Sequence, residues 1–196
     1  MPLDTELANV VLSGLRPFPV AVTTLCNGRA NGLMSLSAGS GGIVPEAPRV
    51  TISLTKYNFT HDLVKESGVF AMHLLCADAG MLERSLAILM GLGGSSGRDG
   101  DKISQFATKA GVTGSPILTD ALCYVEGRVV GELDNEENTI FLADVVATEQ
   151  LHEGSRLNIG TAWKALPHEW IETYERNHVA QTNAARRGRG LPEQDH

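Results

Sequence analysis

Stretches rich in β-branched and aromatic residues follow one another along this chain with no regular alternation of strand and helix, which restricts it to antiparallel sheet architectures. Val20 to Leu25 is the first such stretch. Asn27-Gly28 follows at once, a dipeptide that tolerates positive φ at both positions and so favours a tight hairpin. The returning strand is predicted over Asn31 to Ser37, and further strands over Val50 to Leu54, Val69 to Leu75, Ala121 to Gly127, Arg128 to Glu132 and Thr139 to Thr148. The fold class expected from this pattern is mainly β: an antiparallel barrel with peripheral helices.

Helical spacing punctuates this pattern. Leu7, Val10, Val11 and Leu15 share a face of a predicted helix over residues 1–16, stopped by Arg16-Pro17-Phe18-Pro19. Thr60 is placed to cap a helix that runs to Ser67 and ends at Gly68. Ala79 to Met90 carries Leu82, Leu86 and Leu89 on one side. Lys102 to Ala110 is predicted as a helix closed by Gly111, and Pro167 to Arg176 as the start of a polar C-terminal helix. Ala38 to Gly42 and residues 91–100 are expected as flexible loops, and Arg186 to Gly190 as part of a disordered tail. The organisation expected is an N-terminal helix over 1–16, a barrel domain over 17–166, and a C-terminal helix with a tail over 167–196.

Composition excludes several functions. The formal net charge of −7 over 196 residues disfavours non-specific binding to nucleic acid or to an anionic membrane. No apolar run is long enough to span a bilayer. The start, Met1 to Glu6, is acidic and lacks the basic region of a signal peptide, so the expected compartment is the cytoplasm. Cys26, Cys76 and Cys123 are far apart and read as free thiols, and no metal site is expected. The glycine-rich stretch at 91–100 lacks the lysine of a P-loop, and Ser96 breaks a dinucleotide fingerprint. His168-Glu169 is half of a zinc-protease motif, but Glu172 stands where the second His belongs. His73 lies among apolar neighbours and reads as a structural imidazole. No catalytic side-chain constellation can be read from residue order.

Two segments carry a more specific signal. One is Asn31-Gly32-Leu33-Met34-Ser35-Leu36-Ser37-Ala38; the other runs from Lys56-Tyr57-Asn58-Phe59-Thr60-His61-Asp62-Leu63 through Lys65-Glu66-Ser67-Gly68 to Phe70. The second segment offers a cation, short hydrogen-bonding side chains and a helix start, which suit a phosphate. The same residues also suit a simple cap at Thr60 with a solvated Lys56.

Together the two segments resemble the signature of the flavin-reductase-like family, flavoredoxin branch included, and the resemblance covers about residues 17–150. It implies a split barrel that binds FMN, with FAD as the alternative, in a homodimer with the flavin near the subunit interface. Carried over, Met34, Ser35, Leu36 and Ser37 would lie along the flavin ring, and the loop containing Thr55, Lys56, Asn58 and Thr60 would hold the phosphate. The activity implied is reduction of flavin by NADH or NADPH, with reduced flavin passing to an oxygenase partner or another acceptor. Two positions depart from the family pattern: Asn58 stands where flavoredoxin-type relatives often carry Arg, and Asn138 where many reductases carry a His facing the flavin. Asn cannot change charge near neutrality, so an FMN-binding electron carrier without nicotinamide activity, or a barrel that has lost its flavin, are competing expectations.

Overall fold

A computed structural model of the chain describes residues 4–194. Its first helix, α1 (Thr5–Gly14), is followed by the predicted hairpin of β1 (Val20–Cys26) and β2 (Arg29–Ser35). Asn27 and Gly28 have φ of 50° and 75°, the positive pair that a two-residue turn needs to match strand twist. Next come β3 (Ala38–Ser40), β4 (Arg49–Thr55), α2 (Phe59–Ser67), β5 (Val69–Leu74) and α3 (Ala79–Gly93). A small ribbon of β6 (Thr108–Ala110) and β7 (Pro116–Leu118) leads to the long hairpin of β8 (Cys123–Asp134) and β9 (Asn138–Gln150). Helices α4 (Ile159–Ala165) and α5 (His168–Gly188) follow.

All seven major strands form one antiparallel sheet in the order β2-β1-β5-β8-β9-β4-β3. Strands β2 and β3 stand at opposite ends of that order yet are joined by two residues, so the sheet must curl on itself. The Ser53 amide donates to the Ser37 carbonyl at 2.9 Å across the junction. The result is a split barrel. Its interior is filled by Val20, Val22, Leu33, Ile52, Leu54 and Phe141, with Phe70 at the β8 bulge. Gly127 sits at that bulge because a Cβ there would lie 2.9 Å from the Phe70 ring. A second core lies outside the barrel, where α3, α4 and α5 cover β1 through Ala21, Leu89, Leu92, Leu157 and Ala162.

Several expectations are corrected by long-range pairing. Ala38 to Ser40 is a short strand, not a flexible loop, because it finds Val50 to Ile52 as partner. The two strands expected over 121–132 are one bulged strand, Cys123–Asp134. Lys102 to Ala110 is no helix. The Asp101 carboxylate accepts the Ile103 and Ser104 amides, which turns the chain, and Thr108–Ala110 then pairs with β7. The C-terminal helix continues to Gly188 and takes in Arg186 and Arg187. The chain folds back on it through Arg187–Glu193 and Asn183–Gln194 contacts. Among the described residues, no helix is long and apolar enough to cross a membrane. The three cysteines are free.

His73 is structural. It is fully buried, and its Nδ1 faces the Ala21 carbonyl at 3.1 Å while Nε2 accepts the Leu118 amide at 3.1 Å. That arrangement needs the neutral ring with its proton on Nδ1. Burial lowers the pKa from 6.5 to about 4, against weaker raising effects of the Ala21 hydrogen bond and Glu126. The unfolded chain therefore binds a proton through a pH range in which the folded chain does not, and stability falls as pH drops from 6.5 towards 4. Urea unfolding at pH 7 and pH 4.5 should show roughly 2 to 3 kcal/mol more acid loss in the wild type than in His73→Gln. Equal losses would show that another group sets this slope.

Candidate functional site

As an edge strand, β2 has a row of backbone groups with no sheet partner. Beside it runs a cleft of three adjoining lobes, of about 410, 470 and 590 Å3. Each is within the range of small-molecule and cofactor sites. The middle lobe is walled by Met34, Ser35, Leu36, Ser37, Thr55 and Asn58. The smallest lobe reaches towards α3 and is lined by Met34, Asn58 and Thr60, and the largest opens by Ser37, Thr55 and Lys56. All eight residues singled out in the sequence thus meet along one cleft, at different depths.

Their local roles differ from the simple expectation. Asn58, with extended backbone, is the N-cap of α2, and its side-chain amide donates to the Thr55 hydroxyl at 2.6 Å. Thr60 lies one residue inside the helix and is buried. Its hydroxyl accepts from Asn31 Nδ2 at 3.0 Å. The His61 amide is taken by the Asn58 carbonyl, so the amides open in this turn are those of Phe59 and Thr60. Lys56 is half exposed, and its ammonium is held by both oxygens of Asp134 at 2.6 and 2.7 Å, beside the largest lobe and not beside Thr60.

Three contributors to the cleft were not foreseen. The first is Asn31, only 2% exposed, whose Oδ1 has no hydrogen-bond partner among the described residues. The second is the loop after α3, expected to be mobile. It is pinned instead: Arg29 donates to the Gly97 carbonyl, and Arg98 reaches the Tyr57 carbonyl and Asp62 while both guanidiniums lie over the Phe59 ring at 4.1 and 5.3 Å. Under this loop lies Lys102, 6% exposed, donating to the carbonyls of Leu92 (2.7 Å) and Ser95 (2.9 Å). Burial lowers its pKa to about 8, so it is still mostly protonated at pH 7. The smallest lobe therefore has a buried cation among neutral carbonyls. The third is α5, which supplies Tyr174, His178 and Gln181. The helix itself is expected from Pro167 onwards; the signal that could have placed it against the cleft is Trp170, Tyr174 and His178 at four-residue spacing. Asn138 lines the largest lobe, and its buried Oδ1 likewise has no partner among the described residues. No group of three or more His, Cys, Asp or Glu among those residues is placed to hold a metal.

The sequence matches the model of the flavin reductase like domain over residues 14–163, three quarters of the chain. The chain belongs to the flavin reductase like family. The matched segment contains the whole barrel and every wall of the cleft except α5. A ferric-chelate reductase (NAD(P)H) from Archaeoglobus fulgidus is 29% identical over 137 residues, 69% of this chain and 77% of that protein. Two solved structures share the fold of this family member. One is an FMN-binding protein from Thermus thermophilus with bound p-hydroxybenzaldehyde (22% identity, 68% of this chain and 71% of that one, TM-score 0.59). The other is a nitrilotriacetate monooxygenase component B homologue from Mycobacterium thermoresistibile (19% identity, 80% and 87%, TM-score 0.64).

Proposed function

We propose that this protein is a cytoplasmic FMN-binding oxidoreductase, working as a homodimer, in which NADH or NADPH reduces a flavin held in the cleft. Reduced flavin, or its electrons, then passes to an acceptor such as an oxygenase. The observation that carries this reading is the cleft along the β2 edge with the buried Lys102 ammonium at one end. A flavin mononucleotide combines a planar ring with polar edges, a hydroxylated chain and a phosphate. The open edge of β2 from Met34 to Ser37 suits the ring. The unpartnered Asn31 Oδ1 suits a hydroxyl donor, and Lys102 with the first amides of α2 suits the anion. Thr55, Asn58 and Thr60 are the polar side chains between these ends, and Lys56 stands at the mouth of the largest lobe.

When bound, the flavin supplies the hydride-accepting chemistry, and the protein's task is to hold, orient and partly desolvate it. No acidic or nucleophilic side chain is required. The named relatives support the class: one is a reductase using NAD(P)H, one binds FMN, and one is a homologue of a monooxygenase component. Helix α1 exposes Leu7, Val11 and Leu12, and Leu15 follows directly after it, each more than half accessible, an apolar surface that suits a second copy of the chain.

The test is anaerobic mixing of FMN-loaded protein with NADH and with NADPH while the visible flavin band is followed. Bleaching with either nucleotide supports the reductase. Bound flavin with no bleaching by either supports the second reading, an FMN-binding electron carrier, which Asn138 favours because an amide cannot change charge at the position where many reductases carry a His. A protein that takes up no FMN would remove both.

The anionic end has its own test. Lys102→Met should weaken FMN binding about 30-fold, as for loss of a charge-assisted hydrogen bond, and should leave riboflavin, which lacks the phosphate, within about threefold. If Lys56→Ala produced the large FMN-specific loss instead, the phosphate would belong at the opposite end of the cleft.

A further inference from the structure

Helix α5 lies outside the segment that matches the family, residues 14–163, yet it forms one side of the cleft along its whole length. Of its residues, His178 and Gln181 line all three lobes. Their position is fixed from the other end of the helix. Trp170 Nε1 donates to the Met90 carbonyl at 3.2 Å, anchoring the first turn to α3. The indole lies so close to the end of α3 that a Cβ on Gly93 or Gly94 would meet it at 3.1 or 3.0 Å. From there a ladder of rings runs along the helix. Trp170 stacks on Tyr174 at 5.3 Å, Tyr174 lies parallel to His178 at 6.4 Å, and Trp163 packs edge-on against both Trp170 and Tyr174. Rings four residues apart share one helix face, so anchoring Trp170 and Tyr174 sets the rotation of the helix at His178. Gln181, three residues on, shares that face.

We propose that His178 and Gln181 are flavin-contacting residues that this chain adds from outside the family segment, and that α5 thereby slows the release of bound flavin. The inference rests on the FMN reading above and deepens it. An imidazole and a carboxamide each offer a donor and an acceptor, the complement of a fused ring whose polar edge alternates the two. Neither side chain has a hydrogen bond to another described residue that holds it away from the cleft. His178 is exposed and Gln181 half-buried, so both are available to a ligand without unpacking the core.

The test measures release of FMN from the full-length loaded protein by recovery of flavin fluorescence after rapid dilution. The double variant His178→Ala/Gln181→Ala should release FMN about tenfold faster than the wild type, with Kd rising in parallel. Alanine is the best helix former, so α5 itself should persist, and circular dichroism with an unchanged Tm checks this. His178→Gln, which keeps a donor and an acceptor, should recover part of the loss. Glu175→Ala, an exposed change elsewhere on α5, should release at the wild-type rate. A double variant that binds FMN and releases it within twofold of the wild type would overturn the inference while leaving the FMN reading intact. A wild-type protein that takes up no FMN would instead overturn the reading, and this inference with it.

Discussion

Gly97→Ala is expected to reduce FMN affinity about a hundredfold, equivalent to about 2.7 kcal/mol. A Cβ at this position would lie 2.2 to 2.4 Å from three atoms of the Asn31 carboxamide. The φ of Gly97 is not in the left-handed region, so the obstacle is contact and not backbone strain. Asn31 cannot step aside cheaply, because it is buried and bonded to Thr60. The loop cannot rise without breaking the bond from Arg29 to the Gly97 carbonyl and disturbing the carbonyl of Ser95 that holds Lys102. Either movement alters the lobe assigned to the anionic end. Gly100→Ala, in the same loop with nothing within 4 Å of its Cβ, should bind FMN as the wild type does. Titration of flavin fluorescence on the three proteins separates the outcomes. Equal affinity in all three would mean that the flavin does not use this lobe.

The largest loss of stability is expected from Glu126→Ala, about 3 kcal/mol. This carboxylate is completely buried on β8 and accepts three hydrogen bonds from the turn between β6 and β7: the amides of Val112 (2.9 Å) and Thr113 (2.8 Å) and the Thr113 hydroxyl (2.6 Å). Gly111 leaves room for it, since a Cβ there would stand 2.3 Å from Oε2. Truncation strips three donors of their acceptor and leaves a void. For a chain of this size the Tm should fall by about 9 °C. Glu126→Gln should fall between wild type and alanine, because its amide keeps one acceptor oxygen and turns a donor towards other donors. A calorimetric shift below about 2 °C for the alanine variant would show that the turn is held by other contacts.

Local chemistry was legible in the sequence wherever it decided the outcome locally. Asn27-Gly28 could hardly do anything but turn, and Gly68, with φ of 68°, ends α2 where expected. The strand over 31–37 and the loop over 55–60 could be named as cleft residues because the family signature falls on them. What escaped depended on distant partners. Thr60 looked like a cap because hydroxyls usually cap helices, but Asn31 draws it inward and Asn58 takes the terminus. Lys102 stood in a stretch with helical composition, and only the folded loop shows it buried among carbonyls. Arg186 and Arg187 suggested a solvated tail on charge alone. Their helix persists because Trp170 and Tyr174, over ten residues earlier, are packed against Trp163.

The way the sheet ends bears on behaviour at high concentration. A curled sheet that does not fully close keeps two terminal strands, each a potential template for a foreign chain. Here β3 is only three residues long, too short to seed an intermolecular ribbon. Strand β2 is longer, but α3 and the loop after it pack over it so closely that a Cβ on Gly32 would meet Leu92 of the helix and Ile103 of the loop at 3.0 and 3.3 Å. Its remaining rim is the one proposed to take the flavin. Filling the cleft would therefore also mask the last stretch of adhesive backbone, tying resistance to aggregation to cofactor supply.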